Sequence, residues 1–314
     1  MQEQGAYVVG PEVYAGQHVL RGEFSGAGQM PFPGTAELPH ADNGMQACLV
    51  SADVMSPITY AGKAVGVYAE DEHACYALLG GLHPWQTQAS PYEQTLEIFA
   101  QMQEVLQQVG MSFADVIRTW FFNDRILDWY GEFNRARDAF FEEYDVFRRL
   151  VPASTGIGSR NVWDAALMAR VYAVRPKSAA VQVQAVPSPL QCPALDYRSS
   201  FSRAVEVQHP QYRHLIISGT ASIEPGGKTA HVGDVERQVE LTLDVVQEIL
   251  SSRGMDWQDT MRAVVYLKES SYLEVYERIA AARGISKLPA VWVQADVCRD
   301  DLLFEIELDA AVAR

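Results

Sequence analysis

Near its end the chain reads Leu302-Leu303-Phe304-Glu305-Ile306-Glu307-Leu308-Asp309. Apolar residues at even positions and carboxylates at odd positions mark a half-buried strand with three acids on one face. If water covers that face, the acids are ordinary surface charges, and Glu307 and Asp309 are read that way. If another domain covers it, Glu305 is a candidate buried acid. Desolvation penalises the charged form, and a carboxyl that keeps its proton near neutral pH can serve as a general acid.

A second set of residues suits anion binding. Arg137 follows Phe133 and Tyr130 at i−4 and i−7, which puts all three on one helical face. The planar guanidinium fork fits a carboxylate in two-point contact. Arg198 and Arg203 offer the same chemistry in the second half of the chain. Thr155, Gly156 and Gly158 lie in a Ser/Thr/Gly-rich stretch that reads as a turn able to present backbone donors. Cys298 reads as lying on a strand, sharing a face with Gln294 and Asp296.

Several other chemistries find no support. The formal charge of −15 argues against nucleic acid or an anionic membrane as the main partner. Cys48, Cys75, Cys192 and Cys298 form no C-x-x-C pair, and the histidines show no ligand spacing, so no metal is expected. Gly156-Ile157-Gly158 lacks the third glycine of a dinucleotide loop, and Gly227-Lys228-Thr229 lacks the leading glycine of a P-loop, so no cofactor is expected. There is no nucleophile elbow. The first residues lack the order of a secretory signal and no apolar run reaches membrane-spanning length, so a cytoplasmic protein with free thiols is expected.

The elements that must position these residues occur twice. Gln103-Glu104 matches Gln247-Glu248, Gly110-Met111 matches Gly254-Met255, Asp115 matches Asp259, and Arg118 matches Arg262, always at the same offset. Ser90 and Asp234 stand at the same offset as helix N-caps, the first in a capping box with Pro91 at N1. Helical stripes ending at Gly110 and Gly254, then β-rich segments, then second helices over 129–141 and 272–283, give one order in both halves. Strands are expected at 117–122, 162–174, 214–219, 291–298 and 302–310, and a turn at Glu224-Pro225-Gly226-Gly227. The predicted organisation is α+β: an N-terminal domain over 1–176, a linker over 177–193, and a C-terminal domain over 194–314 of the same fold.

The C-terminal copy resembles the YjgF/UK114 (Rid) family. The matching points are Phe201-Ser202-Arg203-Ala204, Ile217-Ser218-Gly219-Thr220, Gly254-Met255, Leu288-Pro289-Ala290, and Cys298 running into Phe304-Glu305-Ile306-Glu307. The resemblance implies a chorismate-mutase-like fold, a β-sheet backed by helices, with sites between neighbouring units. Over both halves the chain is similar to the two-domain chorismatases, through Trp129-Tyr130, Phe133 to Arg137, Pro152 to Gly158, Ser200 to Ala204, Ser218 to Ser222, and Cys298 to Glu305. That similarity implies cleavage of the enolpyruvyl ether of chorismate, a small dianion, by a monomer or small homo-oligomer without cofactor. It implies Glu305 as the acid, with Arg137, Tyr130, Phe133, Arg203, Arg198, Thr155, Gly156, Gly219 and Thr220 around the substrate. Cys298 implies pyruvate plus 3-hydroxybenzoate as products, against a dihydroxycyclohexadienoate or 4-hydroxybenzoate. The rivals are a Rid-type enamine/imine deaminase, disfavoured because Val291 stands where those proteins carry a carboxylate-binding Arg, and a non-catalytic Rid-like binding protein.

Overall fold

The computed structural model describes residues 54–314 and, before them, the backbone of four short strands: β1 (Ala6–Tyr7), β2 (His18–Gly22), β3 (Gly34–Ala36) and β4 (Ala47–Leu49). The side chain of Cys48 lies outside the described residues; Cys75, Cys192 and Cys298 are free thiols.

Two units of one topology follow. The first comprises β5 (Val54–Tyr60), β6 (Lys63–Glu70), β7 (Ala74–Leu82), α1 (Pro91–Gln108), β8 (Val116–Asn123), α2 (Ile126–Glu143), β9 (Ala153–Gly158) and β10 (Leu167–Pro176). The second comprises β11 (Gln182–Val186), β12 (Ala204–Gln208), β13 (Tyr212–Ala221), α3 (Val235–Ser252), β14 (Thr260–Leu267), α4 (Tyr272–Ala282), β15 (Ala290–Gln294) and β16 (Phe304–Ala313). Strand orders correspond: β5-β6-β7-β10-β8-β9 in the first sheet and β11-β12-β13-β16-β14-β15 in the second, with β2 beside β15. In each sheet the parallel pair, β8 with β9 and β14 with β15, is joined through a helix, as parallel neighbours require.

The local signals of the repeat explain this correspondence. Ser90 closes a capping box with Glu93, and Asp234 accepts from the Arg237 amide. Gly110 and Gly254 sit at φ +69 and +65, where a side chain is disfavoured. The next amide in each case bonds back to a helix carbonyl, Met111 to Leu106 at 2.9 Å and Met255 to Leu250 at 3.0 Å.

Helices cover the outer face of each sheet, and the inner faces pack on each other. One core lies between α1, α2 and the first sheet, and one between α3, α4 and the second. A third core joins the sheets, with Trp120, Phe122 and Met168 from one side and Ile216, Tyr266 and Val291 from the other. Both faces of the central strands are therefore buried, and every residue of β8 is. In the first helical core Phe99 touches the rings of Phe113, Phe121, Phe140 and Phe141. Phe99→Ala is expected to cost about 3–5 kcal/mol, read as an earlier urea midpoint for the N-terminal unit; an unchanged midpoint would show that this cluster does not hold the unit together.

Four expectations are corrected. The segment 153–158, read as a turn, is strand β9; its Ser/Thr/Gly composition carries no apolar alternation, and it is held by β8 on one side and the second unit on the other. The strand expected from 162 begins at Leu167, because Asn161 accepts from the Trp163 and Ala165 amides and holds a turn. Within 177–193, read as a linker, Gln182–Val186 pairs with β12 as the edge of the second sheet; its glutamines are tolerated because an edge strand has one wet side. The strand expected to reach Cys298 ends at Gln294. Beyond it the Asp296 carbonyl turns to accept from Gly158 at 2.8 Å, so the chain leaves its own sheet to meet β9.

Candidate active site

The acidic face of β16 looks into the junction of the two sheets, away from solvent. Glu305, Glu307 and Asp309 thus sit on one buried face, in three different settings. Glu307 is fully buried and accepts from Arg118 Nη2 at 2.7 Å, from Trp120 Nε1 at 2.8 Å and from Arg262 Nη2. Burial alone would raise its carboxyl, but Arg262, Arg118 and a hydrogen bond from Thr155 outweigh that and hold it below the usual range. Asp309 pairs with Arg262 at 3.3 Å and His214 at 3.6 Å; against burial, these hold it at about 2. The reading of Glu307 and Asp309 as solvent-facing charges is therefore wrong. Alternation reports which side chains share a face, and it says nothing of what covers that face.

Glu305 is only 4% exposed, and its carboxyl accepts no hydrogen bond from any described residue. Burial, then the neighbouring Glu307 charge, push it up to about 8, with Arg118 opposing. Such a group is largely protonated at neutral pH.

The backbone around Glu305 is shaped by a break in register. The pairing of β13 with β16 slips between Ile217 and Thr220, leaving Ser218 and Gly219 as a bulge. The freed Gly219 amide donates to Thr155 Oγ1 at 3.0 Å, and Ser218 Oγ accepts from the Ser154 amide at 2.9 Å. A Cβ on Gly219 would lie 2.1 Å from Glu305 Oε1 and 3.1 Å from Thr155 Oγ1. A glycine is needed here for the close approach of the acid. Thr155 also accepts from Arg118 Nη2 at 2.5 Å, so one hydroxyl of β9 joins the bulge, the arginine and, through its own proton, Glu307.

Helix α2 supplies the next layer. Arg137 is 2% exposed; its Nη2 donates to Asn134 Oδ1 at 2.5 Å, its guanidinium lies 5.0 Å over the Phe133 ring, and its Nε finds no partner among the described residues. A buried cationic donor left unpaired is costly, and an anionic ligand would satisfy it. Burial, more than any neighbour, pushes the Tyr130 hydroxyl up, and the groups acting on it include Cys298, Arg137 and Glu305. The Cys298 thiol is pushed up to about 12 by burial and by Glu305, against Arg299 and a hydrogen bond with Tyr130. Glu305, Cys298, Tyr130 and Arg137 are therefore one contiguous group, reached from both units.

The remaining residues separate. Arg203 is buried, gives two donors to the Cys192 carbonyl and lies over Tyr197 and Phe201. Tyr197 carries Arg299 over its ring as well and neighbours Cys298. Thr220 is buried beside the bulge and donates to the Ser218 carbonyl. Gly156 lies against Tyr130 and Asn123 at ordinary contact distance. Phe133 packs inside the helical core, against Phe121, and supports Arg137 from below. Arg198 is not brought into the buried group: it is exposed and closes the short helix Ala194–Tyr197 in a left-handed conformation. Residues not anticipated are Arg118, Trp120, Arg262, Tyr197 and Arg299. Of these, Arg118 and Arg262 carried a signal, as matched positions of the repeat. Among the described residues no cluster of His, Cys, Asp or Glu could hold a metal ion, and no helix is long and apolar enough to cross a membrane.

The two copies have not kept the same chemistry. On β10, Phe122 pairs with Met168 and Trp120 with Arg170; on β16, Tyr266 pairs with Glu305 and Val264 with Glu307. Met168 thus stands where the second copy has Glu305, and Arg170 where it has Glu307. By the same register Val291 answers to Thr155.

Known proteins agree with this architecture. The family described as Endoribonuclease L-PSP matches residues 193–312. A 3-hydroxybenzoate synthase of Streptomyces hygroscopicus is 29% identical over 68% of this chain and 68% of its own. A chorismatase of the same organism is 27% identical over 63% of this chain and 62% of its own length. A RutC family protein of Pyrococcus horikoshii is 32% identical over 30% of this chain and 75% of its own. The crystal structure of a chorismatase superposes with a TM-score of 0.65 at 20% identity, covering 88% of this chain and 85% of that one. The chain, two Rid-like units fused face to face, belongs to the RutC (Rid) family and to its two-domain, chorismatase-like members.

Proposed function

We propose that this protein cleaves the enolpyruvyl ether of chorismate to pyruvate and 3-hydroxybenzoate, with Glu305 as general acid. The observation that carries the proposal is a buried carboxyl with no hydrogen-bond donor among the described residues, held neutral at the pH where an exposed glutamate is ionised. The names of two relatives, a 3-hydroxybenzoate synthase and a chorismatase, support the substrate.

The chemistry asks for one strong acid and a place for two carboxylates. Glu305 delivers its proton to the enol methylene, and the ether carbon becomes oxocarbenium-like. Arg137 and Arg203 bind the substrate carboxylates, Arg137 through the donor that has no partner. In this reading the N-terminal unit supplies Arg137, and the C-terminal unit supplies Arg203 and the acid. The neighbouring ring hydroxyl attacks the ether-bearing carbon as its bond to the departing pyruvate breaks, forming an epoxide; the epoxide opens at the oxygen's original C–O bond, and loss of a ring proton, returned to the Glu305 carboxylate, gives the phenol. One proton leaves the carboxyl and one leaves the ring, and the two products sum to the substrate without added water. The hydrolytic outcome instead consumes one water and leaves a dihydroxycyclohexadienoate.

Cys298 bears on that choice. Its thiol is un-ionised and lies beside Glu305 and Tyr130, where it takes up space that a water molecule would need. Cys298→Ala is expected to shift the product ratio toward the dihydroxycyclohexadienoate by about tenfold, or ~1.4 kcal/mol. Chromatography of the aromatic and diene products checks this, and an unchanged ratio removes Cys298 from the partition. The reaction itself is tested by incubating the protein with chorismate and assaying pyruvate and ring products together. No pyruvate above background from folded protein ends the proposal. The deaminase reading gains nothing from the fold, since Val291 is buried in the core between the sheets.

A further inference from the structure

We infer that Glu307 is a positioning residue for this reaction: by engaging Arg118 it withholds that guanidinium from Glu305, and so leaves the acid without a cationic partner. The inference rests on Glu305 being the acid, and it deepens that reading by naming what keeps the acid fit for use.

The geometry is specific. Glu305 and Glu307 lie on one face of β16, about 7 Å apart along an extended strand. Arg118 reaches that face from β8 of the other unit. It is fully buried, with Nε and Nη1 unpartnered among the described residues, and its Nη2 is divided between Thr155 and Glu307. Among the described residues it is the cation that opposes the rise of Glu305. A buried guanidinium with donors to spare will pair with any carboxylate in reach, and an acid so paired would give up its proton. Glu307 prevents this in two ways. It holds Arg118 by a direct bond, with Arg262 and the Trp120 indole fixing its other side, and its own negative charge disfavours ionisation of its neighbour.

The other charged or titratable groups around Glu305 do not replace it. Asp309, further along β16, is occupied by Arg262 and His214. Tyr130 and Arg137 approach from α2, and Cys298 with Arg299 from the segment before β16; Tyr266 stands opposite on β14. Of all these, only Glu307 bonds Arg118 directly.

The test is a titration of Glu305 in the full-length protein without substrate, by carbon-13 NMR of carboxyl-labelled glutamate, with Glu305→Gln to assign the signal. Glu307→Gln is expected to raise the acidity of Glu305 about tenfold or more, because Arg118 loses its carboxylate and the neighbouring negative charge is gone. Arg118→Met is expected to lower it by about threefold or more. The double variant, which removes both charges, is expected to return close to wild type; it and Arg118→Met decide the matter if Glu307→Gln does not fold. The basic limb of the pH profile of kcat/KM should move in the same directions, a readout that a purely structural role would leave in place. If the Glu305 midpoint stays put in the folded variants while wild type still releases pyruvate, Glu307 has no positioning role and the reaction stands. If the midpoints move as expected but wild type releases no pyruvate, the reaction is wrong and the positioning role falls with it.

Discussion

Glu305→Gln is expected to slow pyruvate release from chorismate by about a thousandfold, within the range that a positioned general acid contributes, while chorismate still binds within a few-fold. Glutamine keeps the shape and burial of the side chain and removes only the transferable proton. Turnover within tenfold of wild type would exclude Glu305 as the acid. Two pH effects accompany this. In the wild type, kcat/KM should fall as pH rises through about 8, where Glu305 loses its proton. Stability should show the same group from the other side. The folded protein holds this proton more tightly than the unfolded chain, whose glutamate titrates near 4.3. The favourable contribution of protonation is therefore complete below about pH 4.3 and is lost as pH rises toward 8. Glutamine needs no proton, so the variant should unfold at a higher temperature than wild type at pH 7 to 8, and the difference should shrink as the pH is lowered. Thermal scans across that window check the sign; a variant less stable than wild type at pH 7 would count against a protonated Glu305 in the native state.

Gly219→Ala is expected to reduce turnover about a hundredfold, the scale associated with misplacing a reacting group by an ångström, with little loss of stability. The added methyl would stand 2.1 Å from Glu305 Oε1 and 3.0 Å from its Cδ. Something must move, and what can move is the end of a flexible side chain, so the acid swings aside while the sheet stays intact. Gly219 lies outside the left-handed region, and alanine brings no backbone strain there. Circular dichroism and melting should match wild type as activity falls. Activity within a few-fold of wild type would mean that the carboxyl does not act from this position.

Much of the frame was written locally. The capping box at Ser90, the glycine stops at 110 and 254, and the equal spacing of Arg118 and Arg262 can each be read within a few residues of sequence, and the structure repeats them turn for turn. Strand β9 was illegible for the opposite reason: Ala-Ser-Thr-Gly-Ile-Gly has no apolar period, and its conformation is imposed by contacts with β8 and the second unit. The same distinction divides the site. Glu305 could be singled out once alternation was joined to family resemblance. The roles of Glu307, Asp309, Arg118 and Trp120 depend on two sheets meeting face to face, and no pattern along one strand records that. Arg198 failed in another way. It adjoins Tyr197, which packs beside Cys298, but is itself exposed to solvent.

The uneven charge of the two inner faces also governs which surfaces can mate. Two copies of the second face would double the charged Glu307 and Asp309 against only the two copies of Arg262. Two copies of the first would double Arg118 and Arg170 with Met168 in place of any acid. In the unlike pair Arg118 and Arg262 meet the charged Glu307 and Asp309, while Glu305 stays neutral. Repulsion within like pairs is a form of selection against the wrong partner. Fusion in one chain keeps the halves close, and Met168 and Arg170 in place of Glu305 and Glu307 make the two faces unlike.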